Sequence, residues 1–326
     1  MRRRRALLGA LLALLLAYTA LAAVRSALND HGRTDASAPA WPRQGQAALV
    51  LGNGAPAMSP DEQPVAIASL AKVMTAYLTL ARHPLSGGQA GFTITVTAAE
   101  AQAVARDRAE GQSVVAVAPG EQLTERQLLE GLLIPSGNNI AELLATVVAG
   151  SETGFVAEMN VQAHALGMDH TTYTDPSGFD PSTVSTAADQ LRVFQAAMRF
   201  SVFRQIVSMG SVTLPVAGTV TNFDPLITEG YAGKTGSDAT AGGCLAFFTD
   251  VAVGGRRETA VGVVLGQGQS SDTQALLAAA GQTAEQLIGS TAAESGTRTS
   301  AAAGRRGVAD GYGRHPLLPG RLSAQP

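Results

Sequence analysis

Lysine is nearly absent from this sequence. Only Lys72 and Lys234 are lysines among the 23 basic residues, and all the others are arginines. Arginine stays protonated in proteins, whereas a lysine amine can lose its proton where its surroundings disfavour the charge. Two ordinary surface lysines are the alternative interpretation. This alternative is disfavoured because both residues lie in short sequence motifs whose residues have a known chemical role. They are therefore candidate site residues.

Cysteine and charge are also sparse, and this excludes several classes of protein. Cys244 is the only cysteine, so no intramolecular disulfide and no cysteine cluster can form, and we expect neither a metal nor another cofactor. Charged residues make up 15% of the chain, below the usual value of about 25%. Residues 6–292 hold 14 basic and 24 acidic residues. This acidic balance argues against nucleic acid as a partner.

Charge is missing altogether from residues 6–24, directly after the four arginines at positions 2–5. A basic start followed by an apolar run is typical of an export signal, and residues 20–22 (Ala-Leu-Ala) would suit its cleavage site. The run also approaches the ~20 residues that span a bilayer as a helix, with the arginines inside. The sequence therefore predicts an extracytoplasmic protein in which 1–24 is a signal peptide or an N-terminal membrane anchor.

The rest of the chain divides into three parts by composition. We expect a polar linker at 25–44, a folded domain at 45–290 and a disordered tail at 291–326. Within the domain, an apolar strand comes first, helical patterns follow at about 98–200, and two β-rich apolar segments at 244–249 and 259–265 precede a last helix. This order predicts an α+β fold, with an antiparallel sheet flanked by helices and an all-helical subdomain.

Ser69 and Lys72 form the first motif with chemical meaning. On a helix, a separation of three places both side chains on one face. A serine hydroxyl needs a base to become a nucleophile at neutral pH, and a lysine can serve if burial or a second cation disfavours its proton. The pattern S-x-x-K by itself is common by chance.

Two further segments carry candidate site residues. Ser136 and Asn138 lie between two predicted helices, where the hydroxyl could relay a proton and the amide could bind a substrate carbonyl or hold Lys72. A simple helix cap is the alternative there. Residues 234–236 (Lys-Thr-Gly) precede an apolar strand and could hold a carboxylate. Gly236 would allow close approach of a ligand, and the amide of Ser237 could face an oxyanion.

Together the three segments match a known site, S-x-x-K then S-x-N then K-T-G. Residues 68–76 and 133–139 resemble the first two motifs of the serine D-alanyl-D-alanine carboxypeptidases, the low-molecular-mass penicillin-binding proteins. Residues 175–178, 185–187 and 234–245 are similar to other landmarks of that family. The resemblance covers about 45–290 and implies the β-lactamase/transpeptidase-like fold.

The resemblance also implies roles for these residues. Ser69 would be the acylated nucleophile, Lys72 its base and Ser136 the proton relay to the leaving D-alanine. Substrate contacts would come from four further residues and from backbone amides: Asn138 orients the substrate backbone, Lys234 and Thr235 receive its carboxylate, Gly236 permits close approach, and the amides of Ser69 and Ser237 form the oxyanion hole. The expected partners are peptidoglycan stem peptides in cell-wall biosynthesis, and β-lactam antibiotics as inhibitors.

Several features depart from the family pattern or leave the function open. After Gly289 the chain is too short and polar for the additional domain and amphipathic anchor that relatives often carry, so the N-terminal segment would attach it to the membrane. Residues 222–224 read Asn-Phe-Asp where Asn-x-Asn is expected. A β-lactamase would need a deacylating glutamate, and 171–175 contain none. The remaining competing functions are those of a DD-endopeptidase and of a non-catalytic peptidoglycan-binding module.

Overall fold

A five-stranded antiparallel sheet forms the centre of the protein. The computed structural model describes residues 39–253 and 255–306, with side chains to Thr291. The spatial order of the strands is β2-β1-β11-β10-β9. Their bounds are Gln46–Leu51 (β1), Ala57–Met58 (β2), Ala232–Asp238 (β9), Gly242–Val253 (β10) and Arg256–Gln267 (β11). The predicted apolar segments thus form the adjacent central strands β10 and β11, and β9 with its Lys-Thr-Gly motif lies at one edge.

Short two-stranded ladders lie outside this sheet. They pair β3 (Val65–Ala66) with β6 (Val184–Ser185), β4 (Thr93–Thr95) with β5 (Gln122–Thr124), and β7 (Ser211–Leu214) with β8 (Gly218–Thr221). The hairpin β7–β8 was not predicted from the sequence. Its strands have only four residues each, and most of their side chains are not buried, so they carry little periodic signal.

Helices occupy both faces of the sheet and most of the region between β4 and β7. They are α1 (Ala71–Arg82), α2 (Ala98–Ala109), α3 (Glu125–Leu133), α4 (Asn138–Ala149), α5 (Glu152–Ala165), α6 (Ala187–Ala197), α7 (Ser201–Val207) and α8 (Thr273–Arg306). The side chains of Thr124 and Thr186 cap α3 and α6, the role that threonine commonly has at a helix start. The α+β prediction with a helical subdomain is confirmed.

Side chains of the sheet alternate between two apolar layers. On β10, Leu245 and Phe247 pack with the buried side of α8, whereas Cys244 and Ala246 join the larger core on the opposite face, which includes α1 and α6. This alternation is the two-residue period of a strand. Gly243 is where β10 and α8 meet most closely, because a Cβ there would collide with the backbone carbonyl of Leu276.

Two expectations concern the ends of the chain. Residues 1–24 and most of the proposed linker lie outside the described residues. Of the tail expected from 291, residues 291–306 continue α8 to Arg306, and the remainder lies outside the described residues. This extension has five alanines and no proline, although Gly296 and Gly304 are poor helix formers.

Among the described residues, no single helix has the length and apolar character needed to cross a membrane, although α4 and α5 together, bent by 84°, pass by length and composition only.

Candidate active site

Ser69 lies in a single 3-10 turn, Ala68–Leu70, that leads directly into α1. Ala68 has a φ of +44°, a left-handed conformation that is costly for a residue with a Cβ. Gly178 packs directly beneath this turn, because a Cβ there would collide with the carbonyl of Ala68. The strained turn is therefore supported by its contact with Gly178. Ser69 itself is only partly buried, so its hydroxyl remains accessible from the cleft.

Lys72 lies in the first turn of α1 and is completely buried. Its Nζ lies 2.7 Å from Ser69 Oγ, as the three-residue spacing predicts. Nζ also donates to Asn138 Oδ1 at 2.7 Å and to the carbonyl of Ser177 at 3.0 Å. These contacts fix the amine next to the hydroxyl.

Burial lowers the pKa of Lys72 well below its ordinary value. The nearby charge of Lys234 lowers it further, whereas Asp175 acts in the opposite direction. Both lowering effects disfavour the ammonium form. They favour the uncharged amine, whose lone pair a general base requires, and this amine lies within hydrogen-bond distance of Ser69 Oγ.

Ser136 and Asn138 lie at the junction of α3 and α4. Ser136 is buried and adopts a φ of +63°. Both polar atoms of the Asn138 side chain make hydrogen bonds. Oδ1 accepts from Lys72, and Nδ2 donates to Gln112 Oε1 at 2.8 Å. Of the two roles expected for Asn138, these contacts correspond to holding Lys72.

Lys234 reaches the same place from the edge strand β9. It is 1% exposed, and its Nζ donates to Ser136 Oγ at 2.9 Å and to the carbonyl of Thr235 at 2.7 Å. Burial lowers its pKa to about 7, while the carboxylate of Asp224 acts to raise it. Ser136 Oγ therefore contacts an amine that can be cationic near neutral pH.

Strand β9 also packs against the turn that carries Ser69. A Cβ on Gly236 would lie 2.9 Å from the carbonyl of Ile67 and 3.0 Å from the backbone nitrogen of Ser69. Only glycine allows this approach without displacement of one chain or the other. The following residue, Ser237, belongs to the same strand, so the Ser69 and Ser237 amides are carried by two segments in contact.

A cleft of about 150 Å³ opens onto these groups. Its lining includes the expected residues Ser69, Ser136, Thr235, Gly236 and Ser237. It also includes Phe223, from the segment 222–224 that departs from the family pattern, and the first turn of α8 with Thr273 and Gln274, which the sequence did not single out. The first turn of α8 carries no motif, so only the packing of α8 against β9 and β10 reveals its position.

The segment 175–178 packs against the turn that carries Ser69 and against the start of α1. The carbonyl of Pro176 accepts from Thr75 Oγ1 at 2.6 Å, and that of Ser177 accepts from Lys72. The carboxylate of Asp175 in turn accepts from the backbone amides of Ser177 and Phe179. The segment, known from the sequence only as a landmark, therefore supplies one of the groups that hold Lys72.

The sequence profile described as D-alanyl-D-alanine carboxypeptidase matches residues 57–268, which include all three motifs. The chain belongs to this family. The D-alanyl-D-alanine carboxypeptidase DacB2 of Mycobacterium tuberculosis is 36% identical over 199 residues, 58% of this chain and 63% of that protein. The family assignment and the three-motif resemblance therefore agree.

Other relatives show how far the likeness extends. The D-alanyl-D-alanine carboxypeptidase DacC of Escherichia coli is 37% identical over 37% of this chain and 30% of its own length. The chain thus aligns with less than two thirds of either curated relative. The crystal structure of a Streptomyces DD-transpeptidase superimposes with a TM-score of 0.65 at 25% identity, covering 78% of this chain and 98% of the other. The fold expected from the family is confirmed.

Proposed function

We propose that this protein is a serine D-alanyl-D-alanine carboxypeptidase that removes the terminal D-alanine from peptidoglycan stem peptides through an acyl-enzyme. The observation that carries the proposal is the 2.7 Å contact between Ser69 Oγ and a fully buried lysine amine. Membership of the family supports the substrate class. A non-catalytic binding module would not need this pair.

Acylation starts with the transfer of the Ser69 hydroxyl proton to the neutral amine of Lys72 as Oγ attacks the carbonyl of the penultimate D-alanine. The amides of Ser69 and Ser237 stabilise the oxyanion, a type of interaction that is often the largest catalytic term. The C–N bond then breaks. The departing amine takes a proton from the Lys72 ammonium through the Ser136 hydroxyl, and D-alanine leaves.

Hydrolysis completes the cycle. Lys72, neutral again, accepts a proton from water while the water oxygen attacks the ester carbonyl. The ester C–O bond breaks, Ser69 Oγ recovers that proton, and the shortened peptide leaves as an acid that ionises in solvent. Lys234 and Thr235 bind the terminal carboxylate of the incoming peptide, which sets the scissile bond over Ser69.

β-Lactams would acylate Ser69 in the same way, and we expect the adduct to persist. The cleaved ring nitrogen stays attached to the acyl group, so it cannot diffuse away as D-alanine does. Thr171–Asp175, the sequence stretch where a class A β-lactamase has its deacylating glutamate, contains none. Slow release rather than turnover is therefore the expected behaviour, unlike that of a β-lactamase.

Labelling with a β-lactam tests the nucleophile. The intact protein should gain the mass of one penicillin, and peptide mapping should place the adduct on Ser69, whereas Ser69→Ala should gain none. Release of free D-alanine from a stem peptide tests the activity, and a crosslinked dimer as competing substrate distinguishes a DD-endopeptidase. Rapid consumption of the penicillin would favour a β-lactamase instead.

We also propose that the protein acts outside the cytoplasmic membrane, exported or anchored by residues 1–24. The basic start and the uncharged run support this location. Deletion of 1–24 should leave a penicillin-reactive protein that no longer sediments with membranes after a salt wash. Full-length protein found in the cytosol would contradict the location.

A further inference from the structure

A buried carboxylate in the loop before β9 has one oxygen without a partner. Asp224 is 3% exposed. Its Oδ1 accepts a hydrogen bond from the backbone amide of Leu226 at 2.9 Å. Its Oδ2 is buried and has no hydrogen-bond partner within the part of the chain that the structure describes. An unsatisfied buried acceptor is costly, and more so when it is charged. The carboxylate therefore needs an explanation other than the local turn.

The identity of the residue is itself unexpected. The motif at 222–224 should end in asparagine, and an asparagine could accept the same hydrogen bond from Leu226 without carrying a charge. This chain has an aspartate instead. The turn alone does not require the negative charge.

The charged group that acts on Asp224 is Lys234. No hydrogen bond or ion pair joins the two residues in the part of the chain that the structure describes, so the interaction is one between charges at longer range. A protonated lysine has three donors, and its Nζ donates two hydrogen bonds within the protein, to Ser136 and Thr235. Asp224 is the acidic group that opposes the lowering of the Lys234 pKa by burial. Lys234 in turn opposes the burial that raises the pKa of Asp224. Each group thus favours the charged form of the other.

The site contains a second amine whose requirement is opposite. Lys72 has to be neutral to take a proton from Ser69, whereas Lys234 has to be protonated to bind a carboxylate. Both are completely or almost completely buried, and burial disfavours the protonated form of each. A negative charge that acts more on one amine than on the other is needed to keep that amine protonated.

We infer that Asp224 is a positioning residue whose carboxylate keeps Lys234 protonated next to a neutral Lys72, so that the cleft accepts carboxylate substrates to a higher pH. The inference rests on the proposed function, in which Lys234 binds the substrate carboxylate. The other charged group that acts on the two amines is Asp175, which lies on the Lys72 side. Asp224 thus acts on Lys234, the amine that has to carry the positive charge.

The scarcity of lysine makes a direct test possible. With only two lysines in the sequence, the full-length chain labelled with carbon-13 at lysine Cε gives two lysine resonances, whose shifts follow amine protonation. Lys72→Arg identifies the Lys234 signal. In Asp224→Asn the Lys234 titration midpoint should fall by about one pH unit or more, the size expected for loss of an adjacent opposite charge.

The matched control is Asp250→Asn, the same change at a carboxylate with 46% side-chain exposure on β10. It should leave both midpoints in place. An unchanged Lys234 midpoint in Asp224→Asn overturns the inference. If that variant fails to fold, both lysines will titrate near ~10.4. The inference is then tested on the lysine titration curves of the unaltered protein. Its Lys234 signal must then show an acid inflection, from protonation of Asp224, that is larger than any on Lys72.

A kinetic measurement separates this inference from the proposed function. For a peptide with a free C-terminal carboxylate, Asp224→Asn should raise KM roughly tenfold at alkaline pH, because one pH unit changes the protonated fraction tenfold. A peptide with a C-terminal amide should show no such shift. An unaltered protein that releases no D-alanine contradicts the proposed function, while the titration still tests the Asp224–Lys234 pair.

Discussion

At the scale of single residues, the site contains two buried amines, for which we propose different charge states. Burial lowers the pKa of both, and the charge of Lys234 lowers that of Lys72 further. The same neighbour that binds a carboxylate therefore also helps to keep the base neutral. Arginine could not replace either lysine without loss, since it does not deprotonate and has a different shape.

Replacement of Lys72 by arginine should abolish acylation while the fold remains. Arginine keeps a positive charge but cannot accept the proton of Ser69, and loss of a general base typically costs about 10²–10⁴-fold in rate. The rate of penicilloyl-adduct formation measures the effect, with circular dichroism as the control for folding. A variant that retains more than about a hundredth of the rate would contradict the role of Lys72.

Replacement of Lys234 by alanine should impair substrates with a free terminal carboxylate most. The charge pair between Lys234 and that carboxylate exists only for such substrates, and a charged hydrogen bond contributes roughly 1.5–3 kcal/mol. We expect kcat/KM to fall at least tenfold more for a D-Ala-D-Ala peptide than for its C-terminal amide. Equal losses on the two peptides would exclude a carboxylate contact.

The sequence could predict contacts among the motif residues, such as those of Lys72 with Ser69 and Asn138, but not the contacts that residues outside the three motifs make with them. The spacing of Ser69 and Lys72 fixes their contact because both belong to one helical start. The carbonyl of Ser177 and the side chain of Gln112 have no such local relation to the site. They reach Lys72 and Asn138 only through the packed fold, so a sequence motif cannot reveal them.

At the scale of elements, the site depends on how closely β9 approaches the 3-10 turn. Gly236 is the point of closest packing, against Ile67 and Ser69. The two segments carry the amides proposed for the oxyanion hole. A displacement of a few tenths of an ångström there would move one amide away from the oxyanion.

Replacement of Gly236 by alanine should therefore slow acylation more than it destabilises the protein. The added Cβ would lie 2.9 Å from the Ile67 carbonyl and 3.0 Å from the Ser69 nitrogen, forcing the strand and the turn apart. Loss of one oxyanion-hole donor costs about 10²–10³-fold in rate, which we take as the expected upper range. Gly210→Ala, where an added Cβ meets nothing within 4 Å, is the control. Equal acylation by both variants would contradict the role of β9.

Helix starts and central strands were predicted well because their signals are local. The capping box at Thr124 and Gln127 is present in both the sequence and the structure. The hairpin β7–β8 and the continuation of α8 past residue 290 were missed. Neither has a clear apolar period, and the end of α8 has a composition that suits a disordered tail as well as a helix.

At the scale of the whole molecule, a second group of acidic residues affects stability rather than chemistry. Glu142 on α4 lines a cavity of about 180 Å³ together with Asp107 and Glu152. Burial, together with the charges of these two neighbouring carboxylates, raises the pKa of Glu142 to about 7. Folding therefore favours the protonated form of this side chain.

The sign of the resulting pH dependence follows from linkage. The folded pKa of Glu142 lies above the value of about 4.3 for an unfolded chain. Its contribution to stability is thus fully present below that value and is lost as pH rises through about 7. Glu125, whose pKa burial also raises to about 7, acts in the same direction. The contribution of these two side chains to the free energy of unfolding should fall between pH 5 and pH 7.

Replacement of Glu142 by glutamine should reduce this loss, because the amide keeps the shape of the protonated acid but cannot ionise. Thermal unfolding measured at pH 5 and pH 7 should show a smaller decrease in Tm for Glu142→Gln than for the unaltered protein. Glu158→Gln is the control, since Glu158 pairs with Arg82 at the surface and has 32% side-chain exposure. An equal decrease in Tm for all three proteins would show that the cavity carboxylates do not govern the pH dependence, which would then have to come from other groups such as Glu125.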